Sequence, residues 1–160
     1  KLQLIAVRSD PESYLHIESP TFLVTHEAFS RRSELSLADA KTQTYDLCEL
    51  CIRRNPCDIK FVNDDLWTEK LTLSVIPHLH IDYIPDKFMT PTCAMEYAKI
   101  RPLDLVNTIY AKYAIEVCPE LIVHANTPTC KQWMRAVALR PYLYTIMPKE
   151  FRSKIPNPYN

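Results

Sequence analysis

An all-α fold is predicted for this chain of 160 residues: a solenoid-like array of about seven short helical repeats of about 22 residues each. Three observations predict it. A small or apolar pair recurs at Ala6-Val7, Ala28-Phe29, Cys51-Ile52, Ser74-Val75, Tyr97-Ala98, Ala114-Ile115 and Ala136-Val137, at intervals of 22, 23, 23, 23, 17 and 22 residues. A proline or polar break follows each pair, at Pro11, Ser33, Pro56, Pro77 (displaced), Pro102, Pro119 and Pro141. The chain has 13 prolines and no glycine, where about 7% glycine is usual. Such a chain breaks helices often and rarely needs a left-handed turn.

Each unit is expected to open with a helix of two to three turns. Leu47, Leu50, Cys51 and Arg54 illustrate the spacing that gathers side chains on one helical face. Proline then ends the helix, since it lacks an N–H and pushes the preceding residue out of the helical region. The same proline suits the first position of a second short helix. Apolar residues return there, as at Tyr14/Leu15/Ile17, Ile59/Phe61/Val62 and Leu121/Ile122/Val123. A closing element follows in some units: Asn63-Asp64-Asp65-Leu66, Pro85-Asp86-Lys87-Phe88 and Pro148-Lys149-Glu150-Phe151, with Ser19-Pro20-Thr21-Phe22 a looser match. Thr68, Thr90 and Ser153 come after it, and their hydroxyls are expected to cap the next helix.

One join is different. Leu103–Val117 contains no proline, so two helices are expected to fuse or join tightly there, and a bend or a specialised surface is expected at the same place. The 55–62 and 78–84 segments carry β-branched residues, but proline recurring inside the pattern argues against a sheet. The expected organisation is one helical-repeat domain over 1–154 and a non-helical tail over 155–160.

The missing glycine excludes a Gly-rich phosphate loop, a dinucleotide fingerprint and a nucleophile elbow. Net charge is zero, so bulk attraction to nucleic acid or anionic membrane is not expected. No apolar run nears the roughly 20 residues that span a bilayer. The six cysteines are irregularly spaced, which favours reduced thiols and a cytoplasmic location.

The unit Trp133-Met-Arg-Ala-Val-Ala-Leu-Arg-Pro-Tyr-Leu-Tyr-Thr-Ile-Met-Pro-Lys-Glu-Phe151, with weaker copies at Cys48–Leu66 and Leu71–Phe88, resembles a short two-helix repeat family of unknown function. That family occurs in effectors of intracellular bacteria, in protists and in large viruses. The resemblance covers most of the chain and is least close over 26–44 and 103–128. It implies an interaction array without catalytic residues, in an effector or phage protein acting on a host factor.

Candidate binding residues are the arginines that recur near the ends of first helices, Arg31, Arg32, Arg53, Arg54, Arg101 and Arg140, together with Trp67 and Tyr142. Cations there complement the helix dipole, and in a stack they align into a ridge that suits an acidic protein surface or phosphates. Arg, Trp and Tyr are also the usual anchors of interfaces. Cys48-Glu-Leu-Cys51 lacks the second ligand pair that a zinc site needs. His78-Leu-His80-Ile-Asp82 resembles the His-x-His-x-Asp element of binuclear metallohydrolases, yet its residues alternate with expected core positions. No catalytic triad, metal or cofactor is expected. Three functions follow in order: binding of a protein partner without catalysis, RNA or DNA binding along the arginine ridge, and metal-dependent hydrolysis at His78, His80 and Asp82.

Overall fold

The computed structural model describes residues 1–31 and 34–159. The chain is helical, with no strand among the described residues. The 55–62 segment carries a 3₁₀ helix at Pro56–Phe61, and the 78–84 segment carries one at Ile81–Tyr83. Two compact units divide it, Lys1–Phe88 and Met89–Asn160.

In the first unit α1 (Leu2–Ser9), α2 (Phe22–Ser30), α3 (Tyr45–Arg54) and α4 (Glu69–Val75) alternate with 3₁₀ segments at Pro11–His16, Leu37–Asp39, Pro56–Phe61, Ile81–Tyr83 and Asp86–Phe88. In the second, α5 (Pro91–Ile100) is followed by the single turn α6 (Pro102–Leu105), and α7 (Ala111–Val117) by a 3₁₀ segment at Pro119–His124. Then come α8 (Cys130–Leu139) and the single turns α9 (Leu143–Ile146) and α10 (Lys149–Arg152). The expected second helices are therefore 3₁₀ segments or single α-turns. Each still buries an apolar side chain, as Tyr14, Leu37, Ile59, Leu105, Ile122 and Leu143 do.

Proline sets the junctions. Asp10, Asn55, Arg101, Cys118 and Arg140 each precede a proline and close an α-helix with φ between −143° and −132°. Each donates its backbone N–H, at 2.8 Å, to the carbonyl four residues back, on Ala6, Cys51, Tyr97, Ala114 and Ala136. The proline ring disfavours the helical region for the residue before it, so each helix ends on a residue of strongly negative φ and positive ψ rather than in a left-handed cap. No described residue has positive φ. This is the physical basis of a fold without glycine.

Threonine starts the helices. Thr21, Thr44, Thr68, Thr90 and Thr129 accept the N–H of the residue three further on, capping α2, α3, α4, α5 and α8. Thr68 and Thr90 were expected. Ser153 was not placed correctly: it follows the last turn of α10 as its C-cap. The closing elements share one turn, in which Leu66, Phe88 and Phe151 donate N–H to the carbonyls of Asn63, Pro85 and Pro148 at 3.0, 2.9 and 3.0 Å.

Two of the expected core pairs differ. Ala6 is exposed. Ser74 is also exposed, and the buried pair is Val75-Ile76. The extra residue lies before α4: buried Val75 follows the cap Thr68 by seven residues, as Cys51 follows Thr44 and Tyr97 follows Thr90, so the whole helix is displaced by one. The proline-free join does not fuse. Thr108 turns the chain, its hydroxyl donating to Leu105 O at 2.9 Å and accepting Tyr110 N–H at 3.1 Å, and α7 restarts at Ala111. The tail is non-helical through Tyr159, and Ile155 within it is buried in the core around Trp133.

Asp58 is a buried carboxylate, 1% exposed. Its Oδ2 accepts Leu37 N–H at 2.8 Å and its Oδ1 accepts Asn55 Nδ2–H at 3.1 Å. Burial raises its pKa, while the Leu37 N–H and the Arg54 charge pull it down.

Candidate functional site

Most of the singled-out arginines serve helix ends. Arg31 donates to Glu27 Oε1 from Nε and Nη2, at 3.2 and 2.9 Å, and from Nη1 to the Arg8 carbonyl at 3.0 Å. Arg54, 23 residues on, donates from Nη1 to the carbonyls of Phe29 and Arg31 at 3.1 and 3.5 Å, and from Nη2 to that of Leu35. The last carbonyls of a helix lack intrahelical partners. Here no glycine motif satisfies them, and an arginine from the following helix reaches back to do so. Arg8 also donates to Glu27 at 3.2 Å. The Arg31 hydrogen bond holds the Glu27 pKa low against partial desolvation, with Arg8 adding to it.

The other predicted residues lie apart from that cluster. Arg53 is exposed and pairs within α3 with Glu49 at 3.6 Å. Arg101 is the C-cap of α5. Arg140 Nε lies 3.4 Å from Glu120 Oε1, which also accepts the Tyr142 hydroxyl at 2.8 Å. Glu120 has a lowered pKa, first from its backbone N–H at the start of the 3₁₀ segment and then from Tyr142. Trp67 donates Nε1–H to Thr72 Oγ1 at 2.8 Å and stacks on Phe88, rings 5.2 Å apart and 4° from parallel. Arg32 lies outside the described residues.

All six cysteines are free thiols. Burial pushes Cys48 up to about 11 and Cys51 up to about 12. Thiolate is the form that binds metal or attacks disulfides, so these two are core groups. His80 Nδ1 accepts Asp82 N–H at 3.4 Å and caps the Ile81–Tyr83 segment, while His78 is exposed. Among the described residues no three His, Cys, Asp or Glu side chains group closely enough to hold a metal ion.

A broad concavity lies elsewhere, in the second unit. α5, α7 and α8 enclose an open groove of about 630 Å³. Met95, Ile109, Tyr113 and Ile115 give it an apolar lining, with Lys112, Lys131, Gln132, Arg135 and Glu116 around them. Ile109 is 78% exposed. It stands two residues before its helix, where Trp67 stands before α4, but Trp67 is half-buried against Phe88. Arg135 clamps Glu116 from α8 to α7, with Nε 2.7 Å from Oε2 and Nη2 on Oε1. That hydrogen bond lowers the Glu116 pKa against slight desolvation and raises that of Arg135.

Arg31, Arg53, Arg54, Arg101, Arg140, Trp67 and Tyr142 do not line this groove. The available signal was the proline-free stretch, which supplies Ile109, Lys112, Tyr113, Ile115 and Glu116. No family model, curated protein or solved structure matches the chain.

Proposed function

We propose that the chain is a non-catalytic helical-repeat protein that binds a protein partner through the α5–α7–α8 groove. In this reading the seven successive helix–break–helix units stack as a solenoid-like scaffold, each covering its neighbour's apolar face. The groove carries the proposal: a contiguous apolar lining rimmed by charged groups, with Ile109 78% exposed in it, marks a contact surface. Arg31 and Arg54 act through the scaffold, by tying successive helices. Arg53 and Tyr142 stay on the surface as further contact residues. An effector or phage protein working on a host factor in the cytoplasm is the setting that the resemblance to the two-helix repeat family implies. No helix among the described residues is long and apolar enough to cross a membrane.

The test is affinity capture from the native cell or host, comparing the wild-type chain with Ile109→Asp. Ile109 is exposed, so the substitution leaves the core intact. A protein retained by the wild type and lost from the variant supports the proposal. Identical captures from both chains overturn it.

A further inference from the structure

The groove carries an excess of positive charge that the whole chain does not. The chain is neutral, yet the groove is lined by Lys112, Lys131 and Arg135 against a single carboxylate, Glu116. That carboxylate is already closed on Arg135 through two hydrogen bonds. Lys112 and Lys131 have no acidic partner among the described residues. Lys112 Nζ rests 4.7 Å from the Tyr113 ring centre, against one apolar wall of the groove. Lys131 stands at the second position of α8, whose first turn holds no acidic residue. A cation at the positive end of a helix is unfavourable without a counter-charge. α3 and α4 begin with Asp46 and Glu69 instead.

The remaining polar rim is occupied. Gln132 Oε1 accepts both the Thr129 N–H at 2.7 Å and the Thr129 hydroxyl at 2.9 Å, and Thr129 accepts Gln132 N–H at 3.2 Å. That reciprocal cap fixes the α8 entry. Recognition in the groove therefore rests on apolar contact and on the two lysines.

We infer that the groove takes an acidic amphipathic helical segment of the partner protein. Apolar residues at i, i+3, i+4 and i+7 of such a segment lie against Met95, Ile109 and Tyr113. Carboxylates flanking that stripe meet Lys112 and Lys131. The groove is open rather than enclosed, which suits a segment lying along it better than a small molecule buried on most sides. Two unpaired lysines over an apolar floor are a poor track for a phosphate backbone, which needs a run of cations. The inference rests on the protein-binding reading above and adds the chemistry of the partner.

The experiment uses the intact chain and two fluorescein-labelled synthetic peptides of equal length. Both carry leucines at i, i+3, i+4 and i+7, and one has glutamates where the other has lysines. Fluorescence anisotropy is expected to show the glutamate peptide binding at least ~10-fold tighter at low salt, with the difference shrinking as salt screens it. The double variant Lys112→Glu/Lys131→Glu, changed only at exposed positions, inverts the preference. Ile109→Asp weakens both peptides. Equal affinity for the two peptides, a preference unmoved by the double variant, no saturable binding of the glutamate peptide, or its displacement by an oligothymidylate overturns the inference. If capture depends on Ile109 while the peptides bind alike, the partner chemistry is wrong and the protein-binding reading stands. If no capture depends on Ile109, that reading falls whatever the peptides do.

Discussion

Replacing Asp58 with alanine tests how the first unit holds its 3₁₀ segments together. The carboxylate lies 21 residues from Leu37 and accepts its buried N–H at 2.8 Å. Alanine leaves that N–H without a partner and removes a charge-assisted hydrogen bond, at a cost of about 2–3 kcal/mol. For a chain of this length the melting temperature then falls by roughly 4–12 °C. Asparagine keeps an acceptor oxygen for Leu37 and is expected to lose less than half as much. The pH dependence has a definite sign. Burial raises the Asp58 pKa in the folded chain, so between its ordinary and raised values the folded state binds more protons than the unfolded state. The contribution of Asp58 to stability is then largest below its ordinary pKa and declines as pH rises through the raised one. Wild type should gain on the non-titrating Asp58→Asn as pH falls through that window. Urea denaturation across pH, followed by circular dichroism, measures both effects. An alanine variant within about 0.5 kcal/mol of wild type, where surface changes usually fall, refutes the reasoning. A stability difference from Asp58→Asn that shrinks on acidification does so too.

Two further outcomes are expected. Thr129→Ala breaks the reciprocal cap with Gln132 and should cost about 1 kcal/mol in urea denaturation, with Thr129→Asp recovering most of it. Thiol titration of the native chain at pH 8 should find Cys48 and Cys51 inert, since pKa values of about 11 and 12 leave about 10⁻³ and 10⁻⁴ of each as thiolate. The half-buried Cys57, Cys118 and Cys130 should react first, and six fast equivalents from folded protein would contradict the burial described.

Local rules made much of this fold legible. Proline after Asp10, Asn55, Arg101, Cys118 and Arg140 ends a helix whatever surrounds it, because the clash is between adjacent residues. Thr68 and Thr90 cap their helices for an equally local reason. Ser153 misled because the same residue type after the same turn meets no further helix. Ser74-Val75 misled because one extra residue between the caps Thr44 and Thr68 shifts the register, and spacing alone does not show where that residue goes. Thr21, Thr44 and Thr129 were missed because the turns before them lack the pattern that marks the others.

The functional surface was less legible. Arginines at regular intervals suggested a ridge, and periodicity locates them correctly at helix ends. Whether such a group faces a ligand or the neighbouring helix is a matter of reach across 23 residues, as Arg54 on the Arg31 carbonyl shows. The groove gathers Met95, Lys112 and Lys131 from three helices, and no sequence spacing announces that meeting.

Sequence dictates the helical class, the breaks and the absence of left-handed turns among the described residues, because proline, threonine and the lack of glycine act within a few residues. Which charges are neutralised and which stand open is settled by packing in three dimensions. Pairing of Glu116 with Arg135, and the exposure of Ile109 at an uncovered join, depend on the packing of helices distant in sequence.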